Sequence, residues 1–321
     1  MLAATLLATQ PVGDSTRGTL RVDTVPSPAL GVRKALTVYL PPSYARSSGR
    51  RYPVAYYLHG LWGDETNWVK LAHLDAAMDS LVAAGTPEMI VVMPDGDDGW
   101  YTTAAVPAEP ARCRADTTRK EPAATYCVEH ARYDEYLVHD VVRYVDVHYR
   151  TLADRRARGI AGLSMGGYGA VTLALRHPDV FASAASHSGV LAPLYAGPHP
   201  FDGTPRWPAR PDSLRAAYGA IYPSLARAFG PDTAGWWARE PVRAAGVATS
   251  HAGVTKPALF VDVGTGDAFL DQARAFRAAA ERLGLAVTYA EWPGAHSWTY
   301  WSAHVGESLA WTAARLTEST P

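Results

Sequence analysis

Five short apolar runs constrain this chain more than any other feature. They are "YPVAYYLHG" (52–60), "EMIVVMPDG" (88–96), "RGIAGLS" (158–164), "FASAASHSG" (181–189) and "ALFVDVG" (258–264). Each ends in or just before small or turn-forming residues, and each is apolar along its length rather than at every second position. Runs of this kind are strands buried on both faces. Segments with helical spacing separate them: "LDAAMDSLVAAG" (74–85), "YDEYLVHDVVRYVDVHY" (133–149), "MGGYGAVTLALRH" (165–177) and 269–283. In 133–149 the spacing shows in Leu137, Val141, Val142 and Val145. A strand "AVTYAEW" (286–292) and a final helix from about Thr299 close the chain, and "TLRVDTV" (19–25) and "RKALTVYL" (33–40) form an antiparallel pair at its start. Strands alternating with helices imply an α/β fold, with a mostly parallel central sheet covered by helices on both faces.

Two stretches break the rhythm. Residues 97–132 are irregular and hold both cysteines. Residues 190–250 are rich in Pro, Arg and Trp and too long for an ordinary loop. We expect 97–132 to be an insertion, and 190–250 to cap the C-terminal edge of the sheet, where α/β proteins bind ligands. The rhythm then resumes, so 19–321 reads as a single domain. Residues 1–18 begin "MLAATLLATQPVG", with no basic residue before Arg17. They read as a signal-peptide remnant or a disordered tail.

The charge is nearly balanced, with 30 basic and 31 acidic residues. That balance gives no hint of nucleic acid or of an anionic membrane surface, and we expect no nucleic-acid partner and no stable membrane insertion. No apolar run approaches the roughly 20 residues needed to cross a bilayer. If bonded, Cys113 and Cys127 close a loop of about 15 residues, worth about 3 kcal/mol, and imply an oxidising compartment. The alternative is two unpaired thiols. A zinc site using Cys127 and His130 lacks further ligands nearby, and "DGDDG" (95–99) lacks the spacing of a calcium loop. We expect no metal and no cofactor.

The chemistry begins at "GLSMGG", Gly162 to Gly167. This is G-x-S-x-G between a predicted strand and a predicted helix. The strained turn demands small residues two positions either side of Ser164, and it raises the hydroxyl above the sheet at a helix N-terminus. A serine nucleophile needs a base, and the base needs an orienting acid. Asp267, in "GTGD", follows the strand 258–264; His296, in "PGAHSWTYW", follows the next strand. The order Ser, Asp, His along one sheet edge is the one this arrangement requires. Asp262 is the rival acid, but it lies inside its strand. His251 precedes the acid and His304 falls within a helix, so both rival bases fit worse. An oxyanion hole would use the amide of Met165 and that of Leu61 in "HGLWG", with Gly60 as the alternative and His59 as a support of the loop.

Taken together, "YPVAYYLHG", "VVMPDG", "GLSMGGYGA", "HPDVFASAASHSG" and "GAHSWTYW" resemble the esterase D, feruloyl esterase and mycolyltransferase group of α/β-hydrolases. The resemblance runs from about residue 30 to 315. It implies an α/β-hydrolase fold, a serine carboxylesterase activity, and oxyanion amides at Leu61 and Met165. "HSWTYW" and "AASHSG" are similar to the mycolyltransferases. Those enzymes, however, place a Glu where this chain has Asp267, and a basic residue where it has Trp62.

The expected protein is therefore a secreted or periplasmic serine esterase. Its substrate is a small-molecule or carbohydrate-linked ester, of feruloyl or other aryl or acetyl type, with Trp62 and Trp298 as substrate-contacting residues. The alternatives are an acyltransferase that passes the acyl group to a sugar hydroxyl, and a non-catalytic binding protein on a hydrolase scaffold. Tyr300 and Trp301 are expected to anchor the last helix.

Overall fold

A computed structural model describes residues 16–115, 122–250 and 255–316. The expected signal remnant, apart from its last residues, and the rival His251 lie outside them. Eight strands form one sheet: β1 (Thr19–Ser27), β2 (Val32–Leu40), β3 (Val54–Leu58), β4 (Ile90–Pro94), β5 (Arg158–Leu163), β6 (Ser183–His187), β7 (Ala258–Gly264) and β8 (Val287–Trp292). Their spatial order is β1-β2-β4-β3-β5-β6-β7-β8. β1 and β2 pair antiparallel, from Thr19 opposite Leu40 to Ser27 opposite Val32, and β2 runs antiparallel to β4. All remaining pairs are parallel.

Every residue of β3, β4, β5 and β6 is buried. This follows from helices on both faces, as the continuous apolar runs require. The pleat sends alternate residues to opposite sides. Ile160 of β5 joins one core with Leu137, Val141, Val145, Tyr168, Val171 and Phe276. Ala161 and Leu163 join the other, with Trp68, Leu74, Met78, Val305 and Leu309. Helices Met165–Arg176 and Leu270–Arg282 thus cover the first face with the 133–148 helix, while Leu74–Ala83 and Trp298–Ala313 cover the second. Burying each of these Leu, Val or Ile side chains contributes about 1.5–3 kcal/mol.

The 133–149 segment is helical as expected, but its middle, Tyr136–Val141, winds as a π-helix. Tyr136, Leu137, Val138 and Val141 are all buried. The wider turn lets successive residues share one buried face, which an α-turn would divide.

The 97–132 stretch is less irregular than its sequence suggests. It carries a helix, Pro110–Ala115, and a 3₁₀ turn, Ala123–Thr125. Cys113 and Cys127 are joined by a disulfide, with Cα atoms 5.6 Å apart. Residues 190–250 contain several short helices, among them Tyr222–Phe229, Thr233–Trp237 and Pro241–Ser250. Tyr222 and Phe229 both pack on Trp236, and Phe229 continues onto Trp100 and Tyr168. The segment therefore adds to the first core rather than building one of its own.

Candidate active site

The loops after β3, β5, β7 and β8 carry the residues singled out in the sequence. Ser164 sits between β5 and the helix Met165–Arg176 with φ 52° and ψ −116°. A side chain rarely adopts this conformation, and holding it costs of order 1–3 kcal/mol. The flanking glycines make the turn sterically feasible. A Cβ on Gly162 would lie 2.4 Å from the Gly166 carbonyl, and one on Gly166 would lie 2.3 Å from the Leu58 oxygen. The Ser164 amide donates to the His187 carbonyl at 2.9 Å, which ties the turn to β6.

Asp267 and His296 reach the same point from the next two loops. His296 Nε2 lies 3.0 Å from Ser164 Oγ, and its Nδ1 lies 2.9 Å from Asp267 Oδ2. The Phe269 amide donates to the other Asp267 oxygen at 2.8 Å, so both carboxylate oxygens are held. The Asp267 side chain is fully buried, while the imidazole is partly open to solvent. Phe269 and Trp301 both meet the ring edge-on, with centroids 5.0 and 4.9 Å away. The rings thus fix its plane, a contribution the sequence reading had not assigned to Phe269.

The rivals go elsewhere. Asp262 is fully buried in β7 and accepts the Tyr300 hydroxyl at 2.8 Å. His304 stacks on Trp292, with centroids 4.2 Å apart.

The "HGLWG" loop lies against the serine. A Cβ on Gly60 would meet Leu163 at 2.6 Å and the Ser164 Cβ at 3.5 Å. The Gly96 amide donates to His59 Nε2 at 2.9 Å, so the ring proton belongs on Nδ1, facing the Gly60 carbonyl at 2.8 Å. His59 is fully occupied in shaping this turn. Met165 opens its helix, and its amide has no intrahelical acceptor. Trp62 has φ 63° and is 68% exposed, and its amide donates to Asp98 at 2.7 Å. Trp298 is half-buried and meets Trp68 and Trp301 edge-on. Tyr300 and Trp301 are buried, at the start of the last helix.

At the loop after β4 lies a charged cluster that the sequence reading missed. Lys34 Nζ is fully buried, 2.5 Å from Asp95 and 2.7 Å from Asp97. It also donates to the Thr125 carbonyl at 3.2 Å, beside the disulfide. Tyr133 donates its hydroxyl to Asp97. Burial pushes the Asp95 carboxyl up, but the neighbouring His59 ring and the Lys34 ammonium hold it well below the usual range. Burial and the Asp95 charge raise Asp97. One signal was available: Lys34 shares the inward phase of its strand with Leu36, Val38 and Leu40.

The Esterase family model matches residues 27–312. The chain belongs to the Esterase family. The chain is 33% identical over 162 residues to Esterase Rv1288 of Mycobacterium tuberculosis, a match covering 50% of this chain and 30% of that protein. It is 30% identical over 173 residues to the endo-1,4-beta-xylanase/feruloyl esterase of Xylanibacter ruminicola, covering 52% of this chain and 21% of that protein. The matched segments thus span less than a third of either relative. Among solved structures, the chain superposes on a ferulic acid esterase with TM-score 0.67 and 25% identity, over 93% of this chain and 98% of the other. The fold is that of the α/β-hydrolases, as expected. Among the described residues, no helix is long and apolar enough to cross a membrane.

Proposed function

We propose that this esterase is a serine hydrolase using Ser164, His296 and Asp267. The observation that carries the reading is the imidazole bridging Ser164 Oγ at 3.0 Å and Asp267 Oδ2 at 2.9 Å. His296 Nε2 takes the Ser164 proton as Oγ attacks the ester carbonyl. The amides of Leu61 and Met165 stabilise the resulting oxyanion. Asp267 keeps the Nδ1 proton in place and stabilises the imidazolium. His296 then returns the proton to the departing alcohol. Water, deprotonated by the same imidazole, releases the acid and restores Ser164.

The substrate in this reading is a feruloyl or other aryl or acetyl ester. The exposed Trp62 ring, on the loop that touches Ser164, favours a flat group, and the names of the relatives point the same way. Trp298 is the second contact residue in this reading, and the 190–250 segment is the cap. The Cys113–Cys127 disulfide supports a secreted or periplasmic location.

Ser164→Ala should cut p-nitrophenyl acetate turnover by at least about a thousandfold. Undiminished turnover would overturn the assignment. A panel of feruloyl, acetyl and longer acyl esters tests the substrate class, and added sugar acceptors separate hydrolysis from acyl transfer.

A further inference from the structure

A second serine, histidine and aspartate lie together in this molecule, and they are sealed from solvent. His187 Nε2 is 2.7 Å from Ser308 Oγ. His187 Nδ1 is 2.6 Å from Asp262 Oδ2, a close polar approach off the hydrogen-bond axis. Tyr300 donates to Asp262 Oδ1 at 2.8 Å, and Tyr57 shares a hydrogen bond with Ser308 at 3.1 Å. Ser308, His187 and Asp262 are all 0% exposed. No ester can reach Ser308, so this is not a second catalytic centre.

The cluster instead touches each arm of the proposed active site. The His187 carbonyl accepts the Ser164 amide at 2.9 Å. The next residue, Ser188, has φ 50°, and its amide donates to the Asp262 carbonyl at 2.8 Å. Asp262 lies on β7, five residues before Asp267. At the end of β7, Gly264 packs so closely on Gly294 of the His296 loop that a Cβ there would lie 2.5 Å from the Gly294 oxygen. The Gly266 amide donates to that same oxygen at 2.8 Å. Tyr300 closes the circuit. Its hydroxyl holds Asp262, and its ring lies where a Cβ on Gly294 would be, 2.6 Å from Cδ2. Trp68 borders His187 at 5.9 Å between centroids and donates its indole N–H to the Leu58 carbonyl, just before the "HGLWG" loop.

We infer that the buried His187–Asp262–Tyr300 cluster, extended by Ser308, is a positioning device that sets the register of the Asp267 and His296 loops against Ser164. The inference rests on the proposed roles of those three residues. Physical reasoning favours positioning over stability as its purpose. A fully buried polar cluster contributes little net stability compared with apolar residues of the same volume, because desolvation offsets most of what its contacts return. Its directional contacts nonetheless hold three strands and the last helix in a single arrangement. Tyr300, Asp262, His187 and Ser308 touch no substrate in this account, and act only through the loops they hold.

The test compares Tyr300→Phe and Ser308→Ala with wild type in p-nitrophenyl acetate kinetics, fluorophosphonate labelling of Ser164 and thermal unfolding. Tyr300→Phe keeps the ring that fills the space at Gly294 and removes only the hydroxyl. It should lower kcat and the labelling rate together by about ten- to a hundredfold, the scale expected for a small misplacement of reacting groups. KM should change less than threefold, and the folded fraction at the assay temperature should match wild type. Ser308→Ala should act in the same direction, and more weakly. Wild-type kcat and labelling in folded Tyr300→Phe would overturn the inference, as would losses that merely track an unfolded fraction. If Tyr300→Phe fails to fold, Ser308→Ala alone decides. Retained turnover in Ser164→Ala would instead defeat the proposed mechanism, so the two failures are distinguishable.

Discussion

Replacing Lys34 with Met removes the ammonium that faces both Asp95 and Asp97 and leaves a side chain of similar length. In the wild type, Lys34 Nζ is fully buried, 2.5 and 2.7 Å from the two carboxylates, whose own side chains are only 11% and 6% exposed. Breaking a buried pair by deleting one partner costs about 3–5 kcal/mol, because the remaining charge stays buried without compensation. Here two like charges remain, so the upper half of that range is expected near neutral pH. The pH dependence has a definite sign. Opposing burial, Asp97 and Asp95 raise the Lys34 folded pKa. Its contribution is thus complete below the unfolded value and is lost only as pH rises through the folded one. Asp95 is depressed, so its contribution is present above the unfolded carboxylate value and fades only in strong acid. Between pH 5.5 and 8 the wild-type cluster therefore keeps its ion pair. In Lys34→Met, one carboxylate must take up a proton to relieve the repulsion, and the folded state then binds more protons than the unfolded. Mutant stability falls as pH rises, by up to about 1.4 kcal/mol per unit. Urea unfolding followed by tryptophan fluorescence should show a wild-type advantage that is largest at pH 8 and smaller at pH 5.5. A gap below about 1 kcal/mol at pH 8, or one that does not change with pH, would refute this account of the cluster.

Two further outcomes follow from buried groups. Gly162→Ala places a methyl 2.4 Å from the Gly166 carbonyl, a backbone atom that cannot swing aside. The Ser164 turn must distort, so esterase activity should fall by at least about a hundredfold, in a p-nitrophenyl acetate assay, even in protein that remains folded. Glu240 is fully buried, and burial pushes its carboxyl well above the usual range, only partly opposed by the Leu194 amide. The unfolded chain releases that proton above the ordinary glutamate value while the folded protein keeps it, so wild-type stability declines as pH rises toward the folded value. Glu240→Gln should remove that decline and be more stable than wild type at pH 8, as read from thermal unfolding across pH 5 to 8.

The parts of the fold legible in the sequence are those fixed by local pattern. Apolar runs without alternation mark strands covered on both faces, and β3 to β6 are buried along their whole length. The small residues of "GLSMGG" are legible for the same reason, since the clash at Gly162 lies only four residues away in sequence. Spatial strand order is not local, and nothing in residues 52–96 states that β3 lies between β4 and β5. The wide turn at Tyr136–Val141 was hidden because the apolar spacing of 133–149 satisfies an α-helix closely enough. The Lys34 cluster joins residues 63 positions apart and the His187–Ser308 contact residues 121 apart. Each looks ordinary alone, and only the inward phase of Lys34 hints at a buried partner.

Backbone strain gives a reason, independent of any motif, to place the working edge of this sheet where we do. Among the described residues, non-glycine residues with positive φ are Trp62, His73, Asp97, Trp100, Tyr101, Ser164 and Ser188. Apart from His73, between two helices, all follow the C-terminal ends of β3, β4, β5 or β6. Such conformations cost of order 1–3 kcal/mol each and persist only where surrounding contacts over-determine them. Those contacts can be named. Asp98 holds the Trp62 amide, Lys34 and Tyr133 hold Asp97, the His187 carbonyl holds Ser164, and the Asp262 carbonyl holds Ser188. Several strained residues on four neighbouring strand ends, each fastened by a buried or well-directed polar contact, are hard to explain by stability alone. A fold selected only to be stable would relax them, whereas a site that must hold a serine hydroxyl, an imidazole and two amides at fixed distances has a use for their rigidity.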